Sequence, residues 1–168
     1  MSDVHLTSLS IDSSLPHRMI AVRAREGKNP GLVWLGGFKS DMKGTKAEAL
    51  DHWAEKEGRA CLRFDYSGHG ESGGIFTDGT IGRWLEESLA VYLRFAHGPQ
   101  VLIGSSMGGW LALLLARALS RRSGAAPIAG MVLIAPAVDF TEELMWKQFP
   151  LEARREITEG VETPVHLF

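Results

Sequence analysis

Apolar and polar positions follow two different rhythms along this chain, and the change between them divides the fold. From Val4 to Ile11, Leu6, Leu9 and Ile11 alternate with Thr7, Ser8 and Ser10, as in an exposed or edge strand. Arg18 to Arg25 repeats the pattern around Met19-Ile20-Ala21-Val22. With Ser13-Ser14-Leu15-Pro16 as the turn, the two predict an antiparallel hairpin at a sheet edge. Beyond it the runs are short and apolar: Leu32-Val33-Trp34-Leu35, Ala60-Cys61-Leu62-Arg63-Phe64, Val101-Leu102-Ile103 and Met131-Val132-Leu133-Ile134. Strands covered on both faces of a parallel sheet have this character. Helical spacing separates them. Thr45-Lys46-Ala47-Glu48 matches a capping box ahead of Leu50, Trp53 and Ala54, with Gly58 as the stop. Ile81, Trp84, Leu85, Leu89, Tyr92 and Phe95 share one helical face that ends at His97-Gly98-Pro99, and a third helix runs from Ser106 towards Arg122. The alternation predicts right-handed βαβ crossovers and an α/β fold with a doubly wound, mostly parallel sheet. Residues 140–159 read as one or two amphipathic helices rich in Glu and Arg, with no strand after them.

Gly104-Ser105-Ser106-Met107-Gly108 stands between the apolar run ending at Ile103 and the helical stretch from Trp110 to Ala116. A G-x-S-x-G turn joining a strand to a helix resembles the nucleophile elbow of α/β-hydrolases. Such a turn admits only very small flanking residues and lifts its serine into the active site. It also points the Met107 N–H, at a helix N-terminus, towards the carbonyl under attack. Ser106 is therefore the candidate nucleophile, and acyl transfer through a serine ester is the reaction class. The plainer role for Ser106 is a helix N-cap, worth about 1 kcal/mol. Gly70-Glu71-Ser72-Gly73-Gly74 satisfies the same expression, but Ile75-Phe76-Thr77-Asp78-Gly79 follows it and cannot start a helix promptly. Ser72 reads as a loop residue.

Length and composition narrow the class without naming it. The 168 residues suffice for one domain with a real core, and 45% hydrophobic with 23% charged residues is ordinary for a globular protein. A net charge of −2 argues against a nucleic-acid surface, and the Arg121-Arg122 pair is too small a basic patch to change that. The single cysteine, Cys61, lies in a strand-like apolar run; it allows no disulfide framework and reads as a small buried hydrophobe. The first five residues have neither a basic nor an apolar leader region, and no apolar run nears the roughly 18 residues of a membrane span. The expectation is a cytoplasmic protein with no metal and no cofactor.

Open α/β sheets bind ligands at the carboxyl ends of their strands. Three such ends carry suggestive residues here. Gly36-Gly37-Phe38 follows the first parallel strand: Gly37 lets the backbone approach a ligand, and the Phe38 N–H could be the second oxyanion donor. Asp65-Tyr66-Ser67-Gly68-His69-Gly70-Glu71-Ser72 follows Phe64, and Ala135-Pro136-Ala137-Val138-Asp139 follows Ile134. Together with the elbow, in this order, they resemble the α/β-hydrolase superfamily from the hairpin through Asp139. Within it, the segments Leu35 to Ala47, Arg63 to Gly70 and Gly104 to Trp110 look like one group. That group contains the mitochondrial acyl-protein thioesterase (depalmitoylase), which also cleaves acyl glucuronides, and its bacterial relatives. The resemblance implies an α/β-hydrolase-type sheet, Ser106 as nucleophile, and the Phe38 and Met107 N–H groups as oxyanion hole. It also implies a lid beginning over 139–149, so that residues 1–168 form one hydrolase domain, with a sheet-helix core over 1–136 and a lid-like helical segment over 137–168.

The same resemblance places the catalytic acid and histidine after two further strands, which this sequence does not reach. Of its six histidines, His5 and His17 belong to the hairpin, His52 to a helix, His97 to a helix end and His166 to the tail. His69 lies at the carboxyl edge of the sheet, in a loop without catalytic duty in the family. Asp139 has the position from which some hydrolases supply the triad acid, and its plainer role is the N-cap of the helix at Phe140. A serine hydroxyl is a poor nucleophile without an adjacent base. The leading expectation is a serine hydrolase of carboxylic esters or acyl thioesters, small or carried on a protein, with Gly37, Trp110 and Trp146 contacting substrate. Phe38, Leu144 and Met145 supply further apolar lining. The alternative is a truncated, catalytically impaired fragment with a binding role or none. A flavodoxin-like or nucleotide-binding domain is disfavoured, because neither G-x-G-x-x-G nor a P-loop follows the first parallel strand. The bare apolar edge at Met131 to Ile134 predicts self-association.

Overall fold

The structure, a computed structural model, describes residues 4–11 and 18–160. Its elements follow the two rhythms of the sequence. Strands β1 (Val4–Ile11) and β2 (Arg18–Arg25) form the predicted hairpin, whose expected turn over 13–16 lies outside the described residues. Then come β3 (Lys28–Leu35), α1 (Thr45–Glu57), β4 (Arg59–Phe64), α2 (Ile81–Phe95), β5 (Gln100–Ser105), α3 (Met107–Leu119) and β6 (Ile128–Ile134). The six strands make one sheet in the order β1-β2-β4-β3-β5-β6. Pairing is antiparallel from β1 to β2 and β2 to β4, and parallel from β4 through β3 and β5 to β6.

This order has one reversal that matters. From β3 the chain crosses to β4 on one side, then returns past β3 to lay β5 on the other. The carboxyl ends of β3 and β5 therefore flank a switch point, where connections leave in opposite directions and open a crevice. The loop after Leu35 and the turn at Ser106 both emerge there.

Alternation along the inner strands divides the core in two. Leu32, Trp34, Cys61 and Ile103 pack with Ala47 and Ala54 of α1 on one face. The intervening Val33, Leu35 and Leu102 are buried on the other, against α3. Helix α1 is also held by charge: Asp51 takes two 2.9 Å bonds from Arg25 of β2 and a third, also 2.9 Å, from Arg63 of β4. Burial pushes the Asp51 carboxyl up, but the Arg25 hydrogen bonds and the two guanidinium charges outweigh it and hold it below the ordinary range.

Two local expectations need correction. The capping box at Thr45 does not form: Gly44 is the N-cap, with no side-chain capping bond. The reason is the preceding turn, in which Gly44 N–H donates to Asp41 O at 3.1 Å and feeds the chain straight into the helix, leaving Thr45 as its first residue. Likewise α3 runs from Met107 to Leu119, a little inside the expected span from Ser106 towards Arg122. The stop at Gly58 is as expected, with φ 63° in the left-handed region.

The chain divides into two compact units between Ala137 and Val138. Taken by itself, the second contains a π-type turn (Thr141–Met145), a 3-10 turn (Trp146–Gln148) and helix α4 (Leu151–Thr158). Asp139 enters that turn through its backbone, its carbonyl accepting from the N–H groups of Glu142 and Glu143 at 3.1 and 2.8 Å, rather than through a side-chain cap.

Candidate active site

Strand β5 delivers the chain to Ser106 in a conformation few side chains adopt, φ 54° and ψ −120°. A non-glycine residue there costs on the order of 1–3 kcal/mol and persists only where its surroundings over-determine it. Three backbone bonds do so. Ser106 N–H donates to Ile134 O at 3.0 Å, and its carbonyl accepts from Gly109 N at 2.9 Å and Ala137 N at 3.0 Å. The glycines are equally forced. A Cβ on Gly104 would lie 2.3 Å from Gly108 O, and one on Gly108 would lie 2.0 Å from Leu35 O. Helix α3 thus crosses back over β5 and β3 at a distance that only hydrogen allows. Ser106 is exposed, occupies the N-cap position, and makes no capping bond with its side chain.

The loop after β3 closes on this turn. A Cβ on Gly37 would sit 3.4 Å from Ser105 O and 3.5 Å from Ser106 Cβ, so its backbone stands directly beside the serine. Gly37 O accepts from Ser40 N at 3.1 Å. In a trans peptide C=O and N–H point in opposite directions, so this bond also sets the direction of the Phe38 N–H. Met107 is the first residue of α3, and its N–H has no acceptor within the helix. The structure therefore brings Ser106, Gly37, Phe38 and Met107 to one place at the switch point.

Residues 30–166 match the profile of the alpha/beta hydrolase family. The chain belongs to that family. It is similar to the mitochondrial palmitoyl-protein thioesterase ABHD10 of Homo sapiens, 37% identical over 151 residues, which are 90% of this chain and 47% of that protein. A solved protein of Agrobacterium vitis S4, described as a hydrolase, superposes with a TM-score of 0.88 at 45% identity, covering 94% of this chain and 62% of that one. Alpha/beta hydrolase domain-containing protein 10 from mouse superposes with a TM-score of 0.77 at 34% identity, covering 96% and 61%. The chain spans about half the length of the curated relatives it matches.

These relatives overturn the cytoplasmic expectation, because the curated proteins it matches are mitochondrial. A targeting leader is removed after import and takes no part in the folded domain, so the composition of a hydrolase domain carries no address. No helix among the described residues is long and apolar enough to cross a membrane.

The other predicted site residues are Trp110 and Trp146. Trp110 lies one turn further along α3 and is half-buried. Trp146 belongs to the second unit, its ring 6.3 Å from that of Phe149. The Phe38 ring packs edge-on to Phe76 at 5.1 Å and Trp84 at 6.2 Å, so its side chain is tied into the scaffold. Ser72, the second motif match, is a fastener: its hydroxyl donates to Asp65 O at 2.6 Å and accepts from Ala21 N at 2.8 Å. Cys61 is buried, and burial pushes its thiol up to about 12, which leaves it unreactive at neutral pH.

No histidine completes a triad among the described residues. His69 is buried, with Nε2 accepting from Lys39 N–H at 3.3 Å and Nδ1 facing Ser67 O at 3.2 Å, so both ring nitrogens are engaged away from Ser106. His52 on α1 and His97 just past α2 are both exposed. His17 and His166 lie outside the described residues. Among the described residues, none bonds the Ser106 hydroxyl.

Two organisers of the site were not read from sequence. Buried Asp65 accepts from Met42 N at 2.6 Å and Glu71 N at 2.8 Å, joining the loops that follow β3 and β4. Burial lifts its carboxyl above the usual range, against the pull of those two bonds. Glu87 of α2, fully buried, takes Arg18 at 2.6 Å and Ser67 N at 2.9 Å. A charged residue ending an apolar strand, as Asp65 does, was the available signal.

Proposed function

We propose that this chain is a serine hydrolase of carboxylic esters or acyl thioesters, working through an acyl-enzyme on Ser106. The observation that carries the reading is the strained Ser106 backbone at the switch point, with Gly37 beside its Cβ. In this reading Ser106 Oγ attacks the substrate carbonyl carbon and gives its proton to a base. The C=O electron pair moves onto the oxygen, which the Phe38 and Met107 N–H groups receive. Collapse of that intermediate expels an alcohol or thiol and leaves the acyl group on Ser106, from which water releases it. Trp110 contributes apolar contact to the acyl chain. The palmitoyl-protein thioesterases among its relatives support a thioester of a long acyl chain, small or carried on protein, as substrate.

Activation is the open requirement. Without a base a serine hydroxyl attacks poorly, and losing triad members costs about 10⁴ to 10⁶ in kcat. His69 does not supply that base, because its ring nitrogens are engaged with Lys39 and Ser67. The same observation favours the second reading, in which this chain by itself is a catalytically impaired fragment that keeps the elbow without turnover.

A fluorophosphonate probe tests both. Stoichiometric labelling of the chain that disappears in Ser106→Ala, together with hydrolysis of a palmitoyl thioester, is the expected result. Absence of labelling across the pH range from 6 to 9 would leave the impaired reading standing and remove the enzymatic one for this chain.

A further inference from the structure

We propose that His69 is a positioning residue for the oxyanion loop, an inference that rests on the serine hydrolase reading. The argument starts from strain. Lys39 directly follows Phe38 and has φ 56°, a left-handed conformation that its side chain disfavours. Something must hold the Phe38–Lys39 peptide in place, and two bonds do. Ser40 N–H closes the turn onto Gly37 O at 3.1 Å, and Lys39 N–H donates to His69 Nε2 at 3.3 Å. The first sets the peptide carrying the Phe38 N–H; the second sets the next peptide along. Between them they fix both peptide planes that flank Phe38.

The histidine is built to accept that bond. Its Nδ1 lies 3.2 Å from Ser67 O, an acceptor with no proton to give, so Nδ1 carries the ring hydrogen and Nε2 presents its lone pair to Lys39. The ring is 5% exposed and walled by aromatic neighbours: Tyr66 at 5.6 Å, Phe76 at 5.1 Å and Trp84 at 5.2 Å between centroids. Phe76 and Trp84 also pack the Phe38 ring. One aromatic cluster therefore holds the donor residue by its side chain and, through His69, by its backbone.

A histidine kept only to fill this core would bond to whatever lay nearest. His69 instead bonds the one amide adjacent to the proposed oxyanion donor, on a loop that has no strand or helix to hold it. A phenylalanine would keep the packing and lose the acceptor. A glutamine would keep an acceptor on a side chain of similar reach.

Kinetics on an acyl thioester and hydrogen exchange of the chain test the assignment together. His69→Phe is expected to lower kcat by about ten- to a hundredfold with KM nearly unchanged, approaching the loss of one oxyanion donor. His69→Gln is expected to recover most of it. In the exchange experiment, which needs no turnover, the Lys39 amide should lose protection in His69→Phe while amides of β3 and β5 keep theirs. A kcat in His69→Phe within twofold of the parent, or unchanged Lys39 protection, overturns the proposal. If Ser106→Ala retains hydrolysis, the serine hydrolase reading fails instead, and the exchange result still decides whether His69 orders the loop.

Discussion

A hydroxyl does opposite work at Ser72 and Ser106, although the two share a five-residue pattern. At Ser72 both lone pair and proton are used, linking Asp65 O to Ala21 N across two strands. At Ser106 the backbone is pinned by three bonds while the exposed side chain makes no capping bond. Ser72→Ala should therefore cost stability, about 1–2 kcal/mol from two lost half-buried hydrogen bonds. Urea denaturation would measure it, and labelling at Ser106 should persist in that variant. The two serines were separable in the sequence because only one is followed by a helix. Which atoms each touches was not, since Ala21 lies 51 residues from Ser72.

At the scale of elements, the elbow is a crossing of α3 over two strands, and its tolerance is set by backbone contact. Gly108→Ala would place a methyl 2.0 Å from Leu35 O. That collision is with backbone rather than a flexible side chain, so a loss on the order of 3 kcal/mol or more is expected in thermal or denaturant unfolding. Helix α1 depends instead on charge. Asp51 is held below the usual carboxylate range by Arg25 and Arg63, so its stabilisation is present above the ordinary value of about 3.9 and is lost as pH falls through its lower folded value. Asp51→Asn should cost about 3 kcal/mol at pH 7, since it leaves two largely buried guanidinium groups short of a partner. Denaturation from pH 7 down to 2 should show that gap narrowing below about pH 4. A flat gap would mean the carboxylate charge contributes little.

At the scale of the whole molecule the consequential feature is the edge strand β6. Among the described residues, β6 pairs only with β5, and Met131, Val132 and Ile134 are exposed. Unpaired backbone beside apolar side chains is a template for another chain. We expect the chain to self-associate with rising concentration, and Val132→Lys to shift it towards monomer in analytical ultracentrifugation. Because Val132 is already half out of the core, that variant should unfold within about 1 kcal/mol of the parent. An unchanged sedimentation profile would put any association elsewhere.

The sequence by itself determined the order of strands and helices, the doubly wound class and the G-x-S-x-G turn between β5 and α3. Those properties are local: period two against period 3.6, a glycine two residues either side of a serine, a helix that follows or does not. Tertiary structure decided what joins the site together. That Gly37 stands beside Ser106, that His69 serves the loop through Lys39 rather than the serine, and that Asp65 ties two loops are contacts across 69, 30 and 23 residues of chain. The first spans the crevice opened where the sheet reverses its order between β3 and β5, and the other two join the loops that follow β3 and β4. No spacing along the chain encodes that reversal directly.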